Sequence, residues 1–155
     1  MLKFIMLVRG LPGSGKTSMT EMIRIPTPSG IMEKPVPCAA DDFFLDGACN
    51  YVFDPKLLPE AHKYCQSIAH EAMSMGKSVV VHNTFTQRWE MEPYIQMSKE
   101  FGHRLIVIST FDGGCTDEAL ALRNDHGVPV ESITAMRDRW EEDWGSGDPR
   151  PPWER

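Results

Sequence analysis

Gly10-Leu11-Pro12-Gly13-Ser14-Gly15-Lys16-Thr17 is the stretch on which the reading of the whole chain turns. It fits the pattern glycine, four residues, Gly-Lys-Thr, and it follows the apolar run Phe4-Ile5-Met6-Leu7-Val8. A short continuous apolar run that feeds such a turn reads as a strand buried on both faces of a parallel sheet. The glycines let successive backbone N–H groups turn inward around phosphate oxygens, and the helix that follows adds its positive N-terminal end. In this pattern Lys16 reaches the β- and γ-phosphates, and the Thr17 hydroxyl ligates magnesium. The expected ligand is ATP or another nucleoside triphosphate with Mg2+, held along Gly10, Leu11, Pro12, Gly13, Ser14, Gly15, Lys16, Thr17 and Ser18.

Outward from the loop, the pattern alternates. Thr17 to Arg24 reads as a helix stopped by Pro26 and Pro28, and residues 25 to 37 as a loop. Val36 to Ala40 is a short apolar strand that ends in Asp41-Asp42, followed by an irregular stretch from Leu45 to Asp54. Pro55 opens a long helix to about Met75. Lys77 to His82 reads as a strand, Trp89 to Phe101 as a helix and Arg104 to Thr110 as a strand. Thr116 is a good N-cap for a helix to about Asn124. Gly127-Val128-Pro129 breaks the pattern, and a last helix is expected over Val130 to Asp143. Strands alternating with helices imply a parallel sheet with right-handed crossovers. The expected architecture is an α/β three-layer P-loop NTPase/kinase fold, a small parallel sheet flanked by helices with a short lid. Residues 1–144 form that domain and 145–155 an irregular tail. Ligands in such sheets bind beyond the carboxyl ends of the strands, where the glycine loop, Asp41-Asp42 and His82-Asn83-Thr84 all fall.

Composition narrows the classes. The chain has 155 residues, 41% hydrophobic and 25% charged, which suits one domain with one core. No apolar run approaches the roughly 20 residues of a membrane-spanning helix. The four cysteines, Cys38, Cys49, Cys65 and Cys115, lack metal-type spacing and read as free thiols in a reducing, cytoplasmic setting. The net charge of −6 disfavours nonspecific binding along a nucleic acid and leaves room for a local contact with one end, or for a small phosphorylated substrate.

Four blocks, Gly10 to Thr17, Asp41-Asp42-Phe43-Phe44, His82-Asn83-Thr84 through Met91, and Arg123-Asn124-Asp125-His126-Gly127-Val128-Pro129, occur in an order that resembles the P-loop polynucleotide 5′-hydroxyl kinases. Phe53-Asp54, Leu58, Ala61-His62 and Cys65 resemble the subgroup of small predicted kinases and the kinase-like domain of the NEDD4-binding protein. The resemblance implies that Asp41 activates the acceptor hydroxyl as general base and stands near the metal. It implies that Arg123, in a lid segment, neutralises charge on the transferring phosphoryl group together with Lys16. Asp42, Asn83, Thr84 and Arg88 are the expected acceptor contacts. Two positions depart from the pattern. His82 stands where the polynucleotide kinases carry an Asp that helps hold magnesium, and Phe44 stands near the place of an arginine that holds an acceptor phosphate. The leading expectation is transfer of the γ-phosphate of ATP to the 5′-hydroxyl of a polynucleotide. A small-molecule or modified-nucleoside acceptor is the first alternative, and a nucleotide-dependent switch or weak ATPase the second.

Overall fold

The computed structural model describes residues 1–155. β1 (Phe4–Arg9) lies inside a four-stranded sheet between β5 (Val79–Asn83) and β6 (Arg104–Ser109), with β4 (Val36–Cys38) on the far side of β5. All three pairings are parallel; Ile5 is aligned with Val79 on one side and Leu105 on the other. Burial follows from this placement. Ile5, Leu7, Val8, Val79, Val80 and Val81 have no exposed surface, as a strand covered on both faces requires. Residues of opposite parity face opposite sides. Ile5, Leu7, Val79 and Val81 pack with Ala61, Cys65 and Ala69 of α2 (Leu58–Ser74) and with Met91, Tyr94 and Ile95 of α3 (Arg88–Glu100). α1 (Lys16–Met22) packs against β1 and β5. This is the α/β P-loop kinase architecture expected from the alternation.

Local chemistry sets the element ends. Gln87 and Glu90 form a reciprocal capping box at the start of α3, and Thr116 accepts the Ala119 N–H at the start of α4 (Asp117–Arg123). Pro55 opens a single 3-10 turn, Pro55–Leu57, before α2 begins. Residues 25–37, expected as a loop, contain a small antiparallel ribbon of β2 (Ile25–Pro26) and β3 (Met32–Glu33). No helix is long and apolar enough to cross a membrane. All four cysteines are free thiols, with Cys38 and Cys65 buried.

The last helix corrects the sequence reading. α5 spans Val130–Asp138 and stops five residues before the expected Asp143. The cause is Arg9, only 1% exposed at the end of β1. Its guanidinium donates to the carbonyls of Phe85 (3.0 Å), Thr86 (3.1 Å) and Glu141 (2.9 Å), and lies 4.0 Å from the centre of the Trp140 ring. Glu141 N–H in turn donates to the Thr86 carbonyl at 2.8 Å. A buried guanidinium has to be hydrogen-bonded, and the chain after Arg139 leaves the helix to supply the acceptor. The segment from Gly145 is irregular, with two 3-10 turns, yet it is docked: Arg88 donates to the Gly145 carbonyl at 2.6 Å, and Trp153 meets Trp89 edge to face at 5.2 Å.

Candidate functional site

The glycine loop is shaped by close approaches. Gly13 has φ 77°, and a Cβ there would come within 2.6 Å of the Leu120 carbonyl and 3.3 Å of Arg123 Cβ. Only glycine combines that backbone with that contact. The C-terminal end of α4, with Arg123, is therefore seated directly on the loop. Gly10 leaves no room for a side chain beside Thr110, whose hydroxyl shares a 2.6 Å hydrogen bond with Ser14. The Gly10 N–H donates to the Thr84 carbonyl at 3.1 Å, fastening the loop to the end of β5. Leu11 anchors the loop from below against Leu120 and Ile133.

Lys16 is the chemical centre of this half. Its ammonium donates to the loop carbonyls of Gly10 (2.8 Å) and Leu11 (3.0 Å). Burial pushes its pKa down to about 8, opposed by the charge of Asp41. A desolvated cation held by neutral carbonyls lacks an anionic partner, and phosphate oxygens would supply one. Thr17 and Ser18 are exposed at the start of α1. No cluster of three metal-ligating acidic, His or Cys side chains exists in the protein. The exposed Thr17 hydroxyl at the start of α1 would suit a magnesium ion shared with phosphate oxygens and water, as this ion commonly binds with a nucleotide.

The second half is built on the 3-10 turn Ala40–Phe44 that follows β4. Its position is fixed by Asn83, 8% exposed at the end of β5: the amide oxygen accepts the Ala40 N–H at 2.9 Å and the amide nitrogen points to the Cys65 sulfur at 3.6 Å. Both functional atoms of Asn83 are thus engaged inside the protein, bracing the acidic turn. Asp41, with its side chain 50% exposed, has a partner on each carboxylate oxygen. Tyr51 donates to Oδ1 at 3.0 Å, and His126 Nε2 lies 3.5 Å from Oδ2. The rings of Tyr51 and His126 are themselves 4.3 Å apart. Asp42 is pushed above the usual carboxylate range by partial desolvation and by Asp41, against the opposing pull of His82 and His126. His82 is shifted the other way, lowered mainly by burial, with Lys16 adding to the shift and Asp42 and Asp41 opposing it. At this strand end burial thus favours the neutral form of the imidazole, against the pull of the acidic turn.

Two turns deliver the partners of Asp41. Asp46 accepts the N–H groups of Ala48 and Asn50, and Leu45 bridges to Tyr51, so the loop after the acidic turn doubles back and returns the tyrosine to Asp41. Asn124 accepts from the N–H groups of His126 and Val128 and donates to the Ala121 carbonyl, a side-chain-built turn that leaves His126 facing Asp41. Tyr51 carried no signal in the sequence beyond an aromatic in a polar loop. Arg123 sits beside Gly13, but its guanidinium contacts the Cys115 sulfur at 3.2 Å. Arg88 is drawn away from the acidic turn: besides Gly145, it pairs with Glu92 at 3.3 Å, and its N–H donates to Glu141. The structure brings Lys16, Asp41, Asp42 and His82 together and gives Asn83 and Arg88 internal partners.

Fold and site together define a P-loop kinase-like domain. The family model described as "AAA domain" (AAA_33) matches residues 5–142, and the chain belongs to this family. Human NEDD4-binding protein 2 is 34% identical over 139 residues, covering 88% of this chain; the chain spans only 8% of that protein's length. Among solved structures, the Pnkp1/Rnl/Hen1 RNA repair complex contains a chain of similar fold, with TM-score 0.65 and 16% identity over 89% of this chain and 44% of that one. A gluconokinase from Sinorhizobium meliloti 1021 matches with TM-score 0.52 and 15% identity over 94% of this chain and 79% of that one.

Proposed function

We propose that the chain transfers the γ-phosphate of ATP to a hydroxyl acceptor, with Asp41 as general base, Lys16 and Arg123 as charge stabilisers and Thr17 as the magnesium ligand. One observation carries this reading: a half-exposed carboxylate, Asp41, lies at the carboxyl end of the sheet within electrostatic reach of the loop lysine. Bound ATP and magnesium would supply the phosphoryl group and neutralise its charge. Lys16 would exchange the Gly10 and Leu11 carbonyls for phosphate oxygens, which stabilise the charged form that burial disfavours. Tyr51 holds Asp41 Oδ1, which leaves Oδ2 to take the acceptor proton. His126 Nε2, on the turn from Asn124 to Val128, lies 3.5 Å from that oxygen, so an acceptor hydroxyl would compete with this contact. Arg123, whose Cβ lies beside Gly13, would have to release Cys115 to serve the loop's ligand.

The resemblance favours the 5′-hydroxyl of a polynucleotide as acceptor, and the shared fold with a component of an RNA repair complex is in keeping with it. Asp42 and Thr84 remain the proposed acceptor contacts, with Asn83 bracing the turn and Arg88 anchoring the C-terminal segment. A second reading, a small hydroxyl-bearing acceptor, is favoured by the charge: the groups acting on Asp42 are His82, Asp41 and His126, with no lysine or arginine among them, in a chain of net charge −6.

The test is incubation with labelled ATP, magnesium and either 5′-hydroxyl oligonucleotides of DNA and RNA or a pool of nucleosides and sugars. Label on the oligonucleotide supports the first acceptor, and label on the pool alone replaces it with the second. Asp41→Asn is expected to lower transfer by about 10²- to 10⁴-fold while nucleotide binding persists. Full transfer by that variant would remove Asp41 from the mechanism.

A further inference from the structure

The opposite end of the sheet has its own concentration of charge. Lys3 precedes β1, Lys77 precedes β5, and Lys34 links β3 to β4. Because these strands are parallel, their beginnings share one edge of the molecule, and the three lysines line one cavity of about 340 Å³. Ile25 and Glu33 of the small ribbon close one wall, and Ser78 contributes to the lining. None of the protein's ion pairs involves Lys3, Lys34 or Lys77, although acids outnumber bases in the chain, 22 to 16. Glu33 is the only carboxylate in the lining.

Ser78 gives an independent indication. It is 6% exposed, and its Oγ accepts the Phe4 N–H at 3.2 Å. Because the oxygen is the acceptor in that bond, the hydroxyl keeps its proton to donate to a ligand. The cavity lining therefore holds three lysines and one serine against a single carboxylate residue. Its volume falls in the range of small-ligand sites, roughly 300–1,000 Å³, and far exceeds the ~30 Å³ share of one water.

We propose that this cavity binds a compact phosphate-bearing polyanion of about the size of pyrophosphate, at a site separate from the glycine loop. Flexible ammonium groups suit a multiply charged phosphate, which offers acceptors in several directions and does not demand the planar fork of an arginine. Lys34 and Lys77 are exposed, so the charge attraction is screened by salt and the affinity falls as ionic strength rises. The inference stands on this cavity alone and is independent of which acceptor the other end of the sheet uses.

The experiment is an amide NMR titration of the intact chain with pyrophosphate at fixed ionic strength. Saturable shifts are expected at Lys3, Lys34, Lys77 and Ser78, fitted separately from any shifts between Gly10 and Thr17. The double variant Lys34→Gln/Lys77→Gln is expected to weaken binding at the first group of residues by tenfold or more and to leave the second group unchanged. Absence of saturable shifts around Ser78 in the unaltered protein overturns the proposal. So does equal affinity in the double variant, or the same shifts from sodium chloride at matched ionic strength.

Discussion

The lysine of the glycine loop from Gly10 to Thr17 is held by carbonyls of the loop's own backbone, whereas the carboxylate of the Asp41 corner is held by side chains arriving from further along the chain. Lys16 finds its two acceptors at Gly10 and Leu11, within six residues. Asp41 finds its partners at Tyr51, ten residues away, and at His126, on the turn that follows α4. The donor half is a backbone cradle that stands ready. The Asp41 corner is a half-exposed side-chain assembly, with a histidine 3.5 Å from one carboxylate oxygen.

The sharpest way to break this contrast is Lys16→Ala. It is expected to lower transfer by about 10²- to 10³-fold and to weaken nucleotide binding, measured by single-turnover transfer and equilibrium titration. Asp41→Asn should separate the two, and equal loss of nucleotide binding in both variants would dissolve the distinction. Gly13→Ala attacks the cradle through its backbone. With φ 77° and the Leu120 carbonyl 2.6 Å from the new Cβ, destabilisation on the order of 1–3 kcal/mol is expected, read as a lower Tm.

The pH response sharpens the donor half. Lys16 has a folded-state pKa of about 8 against an ordinary 10.5. Between those values the unfolded chain binds more protons, so the stability of the nucleotide-free protein should gain from this group as pH rises from about 8 to about 10.5. Nucleotide affinity should move in the opposite direction, falling as pH rises through about 8, because the phosphates require the charged lysine. A titration calorimetry series across this window checks both signs. The smallest effect is expected from Tyr51→Phe. The hydrogen bond it removes is to a half-exposed carboxylate, so roughly a two- to fivefold loss in kcat is expected with KM for ATP unchanged. An unchanged kcat would make the Tyr51 contact incidental.

The same contrast explains what the sequence made legible. All four strands of the main sheet, the glycine loop and the Thr116 cap are local patterns of apolar runs, turn residues and capping groups, and each lies where the pattern put it within a few residues. The short ribbon at Ile25–Pro26 and Met32–Glu33 escaped because two residues per strand leave no alternation to read. The end of α5 escaped for a different reason. Nothing near Asp138 stops a helix there; the demand comes from Arg9. Tyr51 and His126 were illegible as a pair because their meeting at Asp41 depends on two turns organised by Asp46 and Asn124. Asn83 was read as a ligand because it stands at a strand end. Only its burial reveals that its amide is already used.

Arg9 has a consequence for the order in which the protein is completed. It is the residue immediately before the glycine loop, and one of its guanidinium nitrogens waits for a carbonyl 132 residues later. Until Glu141 has emerged from the ribosome and docked, a buried cation at the root of the loop lacks one of its acceptors, a costly state for a desolvated charge. Contacts of such long sequence separation form late, since closing the intervening chain costs entropy before the contact contributes. The root of the glycine loop is therefore completed only once the residues around Glu141 have docked.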